Sequence, residues 1–188
     1  MGLGITKILI KCTVFWNIHL FNIRKKTLGF ENACAFLIGL DKNSMIPVLR
    51  RNGAKIGNIC DIEAPLFFHN CNDFSNLIIG NNCHIGKNCF FDLRGKIIIE
   101  DNVVISMLTA FITHQDINKS ELRNIYPACQ EDIIIKNNSY IGVRSTILKG
   151  VVVNTFSIVA AGSVVLKNVE SFTIVGGIPA RVIKKINQ

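Results

Sequence analysis

The chain has 188 residues, 49% of them hydrophobic, and 21 Lys and Arg against 13 Asp and Glu give a net charge of +8. That length holds one domain with a sizeable core, or one domain and a small appendage, and no run approaches the ~18 apolar residues of a transmembrane helix. A basic balance admits nucleic acid, an anionic membrane or a phosphorylated small molecule as partner, but the basic residues form no patch interleaved with aromatics, so nucleic acid is not expected. They gather at Arg24-Lys25-Lys26, Arg50-Arg51 and, in the tail, Arg181, Lys184 and Lys185.

Residues 1–55 read as a helical and irregular segment. Up to about residue 30, Ile5, Ile8, Leu9, Cys12, Phe15, Trp16 and His19 fall on roughly one face, with Lys7 and Lys11 off it. Such a face packs on the rest of the chain or on a neighbouring subunit; beside the Arg24 cluster it also suits a helix lying on a membrane surface. Lys7 and Lys11 interrupt the start and no small-residue cleavage site follows a clean apolar core, so it is not read as a signal peptide. Met1-Gly2-Leu3-Gly4-Ile5-Thr6 matches an N-myristoylation pattern, but only formally. From Ala33 to Arg51 the signal is poor, and Ile46, Val48 and Leu49 suggest an edge strand.

Hexads begin near Ile56-Gly-Asn-Ile-Cys-Asp, slip between Phe67 and Asp73, and return at Ile79-Gly-Asn-Asn-Cys-His and Ile85-Gly-Lys-Asn-Cys-Phe. They continue through Phe91-Asp-Leu-Arg-Gly-Lys, gain two residues at Ile97-Ile98, and resume at Ile99 and Ile105. The cleanest run is Ile135 to Glu170: its first places are Ile135, Ile141, Ile147, Val153, Val159 and Val165, and its fifth places Ser139, Ser145, Val151, Ser157, Ser163 and Val169. A period of six fits neither a helix at 3.6 nor a strand at 2; it fits a parallel β-helix. The coil is three-sided, with about six residues per side, aliphatic first places inward, small fifth places near the corners, and coils stacked at about 4.8 Å. It is expected over 56–175.

One long break, about 111–132, interrupts the coil and holds Thr113-His114-Gln115-Asp116 and Asn124-Ile125-Tyr126-Pro127. Insertions in a solenoid are loops and often the binding face. Past Glu170, Gly176-Gly177 and Pro179 break the strand, and Ala180–Ile186 should form a short closing helix within 176–188. The seven cysteines are odd in number and contain no Cys-x-x-Cys, and Cys83 and Cys89 take fifth places. They read as reduced core residues of a cytoplasmic protein, neither disulfides nor zinc ligands. The best candidate for chemistry is His114, whose imidazole can take a proton from a hydroxyl and return it to a leaving group. On the residues alone a structural loop histidine stands beside that reading.

Three marks resemble the hexapeptide-repeat acyltransferases, the left-handed β-helix family that includes galactoside, maltose and xenobiotic acetyltransferases. The hexads run into Thr113-His114-Gln115-Asp116; a second block runs from Tyr140-Ile141-Gly142 through Val159-Ala-Ala-Gly-Ser-Val-Val-Leu-Lys167; and Gly177-Ile-Pro-Ala-Arg-Val-Ile-Lys184 closes the coil. The likeness covers about residues 56–186. It implies an all-β, left-handed parallel β-helix with an N-terminal helical segment, acetyl-CoA as donor, no metal, and a homotrimer with its active site between subunits. It further implies His114 as general base, with Asp116 or a backbone carbonyl to orient it. Asp92 would contact the acceptor and Tyr140 would stack on it. Gly142 and Ala161 would offer backbone to the pantetheine, and Lys167, Arg181 and Lys184 would meet the phosphates. The basic, apolar N-terminus suits an enzyme of surface-polysaccharide biosynthesis, cytoplasmic and at the inner face of the membrane, acting on a sugar or glycan hydroxyl.

Two other functions fit the same fold. A γ-type carbonic anhydrase would need three histidines around zinc, to be drawn from His19, His69, His84 and His114. A non-catalytic β-helix scaffold would bind no CoA and would be indifferent to His114.

Overall fold

The structure is a computed structural model that describes residues 2–187, with side chains from residue 5 onward. Met1, which opens the myristoylation-like pattern, lies outside the described residues.

From Lys55 onward the hexads wind into three parallel ladders. The first face stacks Lys55–Ile56, Leu77–Ile79, Ile97–Ile99, Ile133–Ile135 and Val152–Val153. The second stacks Asp61–Ile62, His84–Ile85, Val104–Ile105, Tyr140–Ile141, Ile158–Val159 and Thr173–Gly177. The third stacks Phe67–His69, Phe90–Asp92, Ala110–Ile112, Thr146–Leu148 and Val164–Val165. First-place residues lie in register from coil to coil, as in Ile79, Ile99, Ile135 and Val153, and all four are buried. Fifth places are buried as well, and their hydroxyls satisfy carbonyls at the corners: Ser139 donates to Asn154 O, Ser145 to Ala160 O and Ser157 to Glu170 O. The fourth place supplies the bend. Asn82, Asn88, Asn102 and Asn138 stand there at φ of 53° to 60°, with Gly150 and Gly162 also positive, because Asn and Gly enter the left-handed region at least cost.

The first 51 residues are mostly helical, so the all-β expectation holds only from Lys55 on. Three helices, α1 (Gly2–Leu28), α2 (Phe30–Cys34) and α3 (Lys42–Arg51), form the segment before the coil. The edge strand expected at Ile46–Leu49 is α3: Asp41 caps it by accepting from Asn43 N and Ser44 N, and Met45, Val48 and Leu49 repeat at helical spacing on its buried face. A chain of aromatic contacts ties this layer to the coil. Phe21 and Phe30 pack on Phe74, Phe74 on Phe68, and Phe68, Phe91 and Phe111 then stack down the third face with centroids 5.5 and 5.2 Å apart.

The closing helix expected at Ala180–Ile186 is a strand. Ala180–Lys185 runs antiparallel to Thr173–Gly177, with Gly177 (φ 98°) opposite Ala180. Gly177 reverses the chain over two residues, and Val182 and Ile183 favour pairing with the open edge of the second face over helix.

Candidate active site

His114 stands where the chain leaves the coil. Ile112 still pairs with Leu148 on the third face, whereas His114 opens an antiparallel ribbon opposite Gln130. Between them, buried Thr113 pins the departure. Its N donates to Asp92 Oδ2 (2.9 Å), and its Oγ1 donates to Asp92 O (2.9 Å) while accepting from Gly95 N (2.9 Å). The long break is therefore a ribbon-based loop rooted in the coil.

Asp92 ends the strand one coil away. Its side chain is 1% exposed, and its Oδ2 lies 2.5 Å from Nδ1 of His114, whose own side chain is 17% exposed. Asn70, in the coil before, donates from Nδ2 to Asp92 Oδ1 at 3.0 Å and stands 3.5 Å from His114 Nε2. Burial pushes the Asp92 carboxyl up, but the hydrogen bonds from His114, Asn70 and Thr113 outweigh it and hold the group below its usual range. A carboxylate at Nδ1 fixes the proton there, so neutral His114 keeps its lone pair on Nε2. That is the arrangement of a general base oriented by an acid.

The orienting residue is thus Asp92, and Asp116 is paired elsewhere, with Arg94 Nη1 at 2.9 Å. Asp92 was expected to touch the acceptor; both its oxygens are instead engaged inside the protein. A cavity of about 530 Å3 reaches the dyad through Asn70; Phe30, Glu31, Asn32, His69 and Arg94 also line it, whereas His114 and Asp92 do not. Arg94 also lines a smaller 140 Å3 recess with Gln115 and Gln130 of the ribbon.

The remaining residues expected from sequence separate into two groups. Lys167 and Arg181 come together in a cleft of about 250 Å3 at the end of the coil, with Val165, Asn168, Val175 and Val182. Phe111, Ile147 and Val165 are in register, so Lys167 stands two coils, about 10 Å, along the axis from the His114 level. Lys184 lies opposite Ile174 in the closing hairpin, and Ala161 is exposed at a corner. Tyr140 is on the second face, apart from the His114 face, half-exposed and accepting from Ser106 Oγ at 3.0 Å. Gly142 is buried and its N–H is already given to Val159 O (2.8 Å). A Cβ there would meet the backbone N of Ala161 at 2.5 Å, so the glycine lets two coils approach. Gly142→Ala is expected to cost about 1–3 kcal/mol, read by urea denaturation, without changing the dyad.

Comparison with known proteins fixes the family. A family model described as the hexapeptide repeat of succinyl-transferase matches residues 76–107 and 132–167. A galactoside O-acetyltransferase of Escherichia coli is 28% identical over 176 residues, which cover 88% of this chain and 79% of that one. A putative acetyltransferase of Saccharomyces cerevisiae is 30% identical over 174 residues, 90% of this chain and 85% of the relative. The chain belongs to the hexapeptide-repeat acetyltransferases. Solved acetyltransferases superpose on it. A hexapeptide-repeat acetyltransferase of Vibrio cholerae matches with a TM-score of 0.74 at 24% identity over 91% of this chain and 93% of that one. The same protein complexed with acetyl-CoA gives 0.71 at 25% over 82% and 84%. The three parallel faces of this acetyltransferase, with such neighbours, fit a left-handed β-helix.

Asn70, Thr113 and Arg94 are the residues of this acetyltransferase's site that sequence reasoning left unassigned. Thr113 carried a signal, since it stands beside His114 in the loop motif. Asn70 sits at φ 54° where the hexad frame slips, which hid its place on the face.

Proposed function

We propose that this acetyltransferase carries an acetyl group from acetyl-CoA to a hydroxyl of a sugar, by direct attack, with His114 as general base and Asp92 as its positioning residue. The observation that supports this most is the 2.5 Å contact between Asp92 Oδ2 and His114 Nδ1 beside a polar cavity. His114 Nε2 takes the acceptor proton as the hydroxyl oxygen attacks the thioester carbonyl carbon. The C–S bond then breaks, and the imidazolium returns the proton to the CoA sulfur. Asp92 stays ionised and steadies the imidazolium between those events. Asn32, Asn70, Asn72, Glu31 and Arg94 supply the donors and acceptors that a polyhydroxylated acceptor calls for.

The donor runs along the coil, with its phosphates at Lys167 and Arg181, whose charges suit a polyanion. Lys167→Ala with Arg181→Ala should weaken acetyl-CoA binding about tenfold or more by calorimetry, as expected for two charge-assisted contacts. The working unit is a trimer with the groove between subunits; exposed Val104, Met107, Leu108 and Tyr140 on and beside the second face suit that burial. The enzyme acts in the cytoplasm, where acetyl-CoA and reduced thiols coexist, in surface-polysaccharide synthesis.

The zinc reading gains nothing from the geometry, because the histidines are dispersed among different partners. His84 Nδ1 lies 3.1 Å from Asp61, His69 is 4.0 Å from Glu31, and His19 stacks on Phe15. Calorimetric titration with acetyl-CoA, run beside a thiol-release assay over sugars and nucleotide-sugars, tests the proposal. Binding with acceptor-dependent thiol release supports it; no binding at millimolar acetyl-CoA overturns it in favour of the scaffold.

A further inference from the structure

Helix α1 carries an apolar face that the fold leaves open. Ile5, Ile8, Leu9, Phe15, Trp16 and Ile23 recur at helical spacing along one side, and all are exposed. In its second half the opposite side holds the helix to the protein. Phe21 is buried there, and Asn17 Nδ2 donates to Ser44 Oγ (2.8 Å) and to Asp41 Oδ2 (3.0 Å). The apolar stripe is therefore an outer surface of a helix that its other face fixes around Asn17 and Phe21, and residues 5–13 ahead of that anchor are exposed all round.

Charge narrows the choice of what covers it. Gly2–Leu28 contains Lys7, Lys11, Arg24, Lys25 and Lys26 and no Asp or Glu. A second copy docked face to face would bring cations toward cations with no acidic counterpart from either helix. Anionic lipid headgroups complement both features at once, the apolar stripe entering the acyl boundary and the flanking lysines meeting phosphates. No described helix is long and apolar enough to cross a membrane, so the geometry is that of a helix lying along the surface. The 27 residues of α1 span about 40 Å at 1.5 Å per residue, room for several headgroups.

We infer that α1 docks this protein on an anionic lipid surface through its Ile8–Trp16 face. The consequence reaches the site. Leu28 and Gly29, where α1 ends, line the same 530 Å3 cavity as Asn70 and Arg94.

Trp16 is the chain's single tryptophan and its side chain is 59% exposed, so it reports on this face directly. The full chain is mixed with phosphatidylcholine vesicles, with or without phosphatidylglycerol, and followed by Trp16 emission and by flotation. Docking predicts a blue shift and co-flotation with the anionic vesicles, weakened by salt. K7E/K11E should lower partitioning roughly tenfold or more, since each surface cation contributes on the order of 1 kcal/mol. I8N/L9N should abolish the shift; both variants change exposed side chains, and an unchanged thermal melt checks their folding. Three results overturn the inference: no response to either vesicle, an equal response to neutral and anionic vesicles, or emission already blue-shifted in buffer with a mass that falls in I8N/L9N. The last would mean that a second copy covers the face.

Discussion

His114→Ala should lower acceptor-dependent thiol release about 10³-fold while leaving acetyl-CoA affinity within about twofold. Positioned general bases contribute typically 10²–10⁴ in rate. The upper part of that range applies here, because a sugar hydroxyl is a weak nucleophile until its proton leaves, and Asn70, the cavity residue beside His114 Nε2, is an amide that cannot take its place as a base. Affinity for the donor should survive because Lys167 and Arg181 lie about two coils from the histidine. Folding should survive as well, since the ring is at the edge of the core and Thr113 keeps its bonds to Asp92 and Gly95. Steady-state kinetics at saturating acetyl-CoA, paired with calorimetry, separates the two quantities. Thiol release undiminished in the variant would remove the base from the mechanism, and lost donor binding would make His114 part of the CoA groove.

The coil was legible because each rule was repeated many times. Ile at first places and small residues at fifth places both mark the interior, and the structure buries both. The fourth place was equally informative and went unread: Asn82, Asn88, Asn102 and Asn138 spell the left-handed corner, while Leu108, Arg144 and Phe156 take the same backbone without that chemistry. The pairing of Asp92 with His114 was hidden by register. The residues are 22 apart in sequence and touch only because the two residues gained at Ile97-Ile98 bring Phe91 opposite Phe111. Once that register is set, Asp92 faces the exit of the loop, and Asp116, nearer in sequence, turns to Arg94. The helix α3 and the closing hairpin were misread for a related reason. A short apolar run such as Ile46–Leu49 or Val182-Ile183 suits either periodicity, and what decides is the cap at Asp41 or the free sheet edge beyond Ile158–Val159.

Asp92→Asn should slow acetyl transfer by on the order of 10- to 100-fold, less than the loss of His114. An amide can still accept from Thr113 N and from His114 Nδ1 if its oxygen takes the Oδ2 place, and Asn70 can turn its own amide to meet the new NH2. Geometry is then largely kept while the negative charge beside the imidazolium is gone, and a charge-assisted bond contributes about 1.5–3 kcal/mol. Asp92→Ala removes orientation too and leaves Thr113 N–H without its buried partner, so it should fall further and unfold more readily. The same charge sets a pH signature in stability. The Asp92 carboxyl is held below the ordinary 3.8, with burial opposing and the bonds from His114, Asn70 and Thr113 prevailing. Its contribution is therefore complete above the unfolded value and disappears as pH falls through the lower folded value. Urea unfolding should show wild type more stable than Asp92→Asn by a constant margin from about pH 5 upward, narrowing below about pH 4. A margin that stays constant down to acid unfolding would mean that the carboxylate is not stabilised by those bonds. Asp92→Asn with unaltered transfer kinetics would reduce the His114–Asp92 contact to a structural tie.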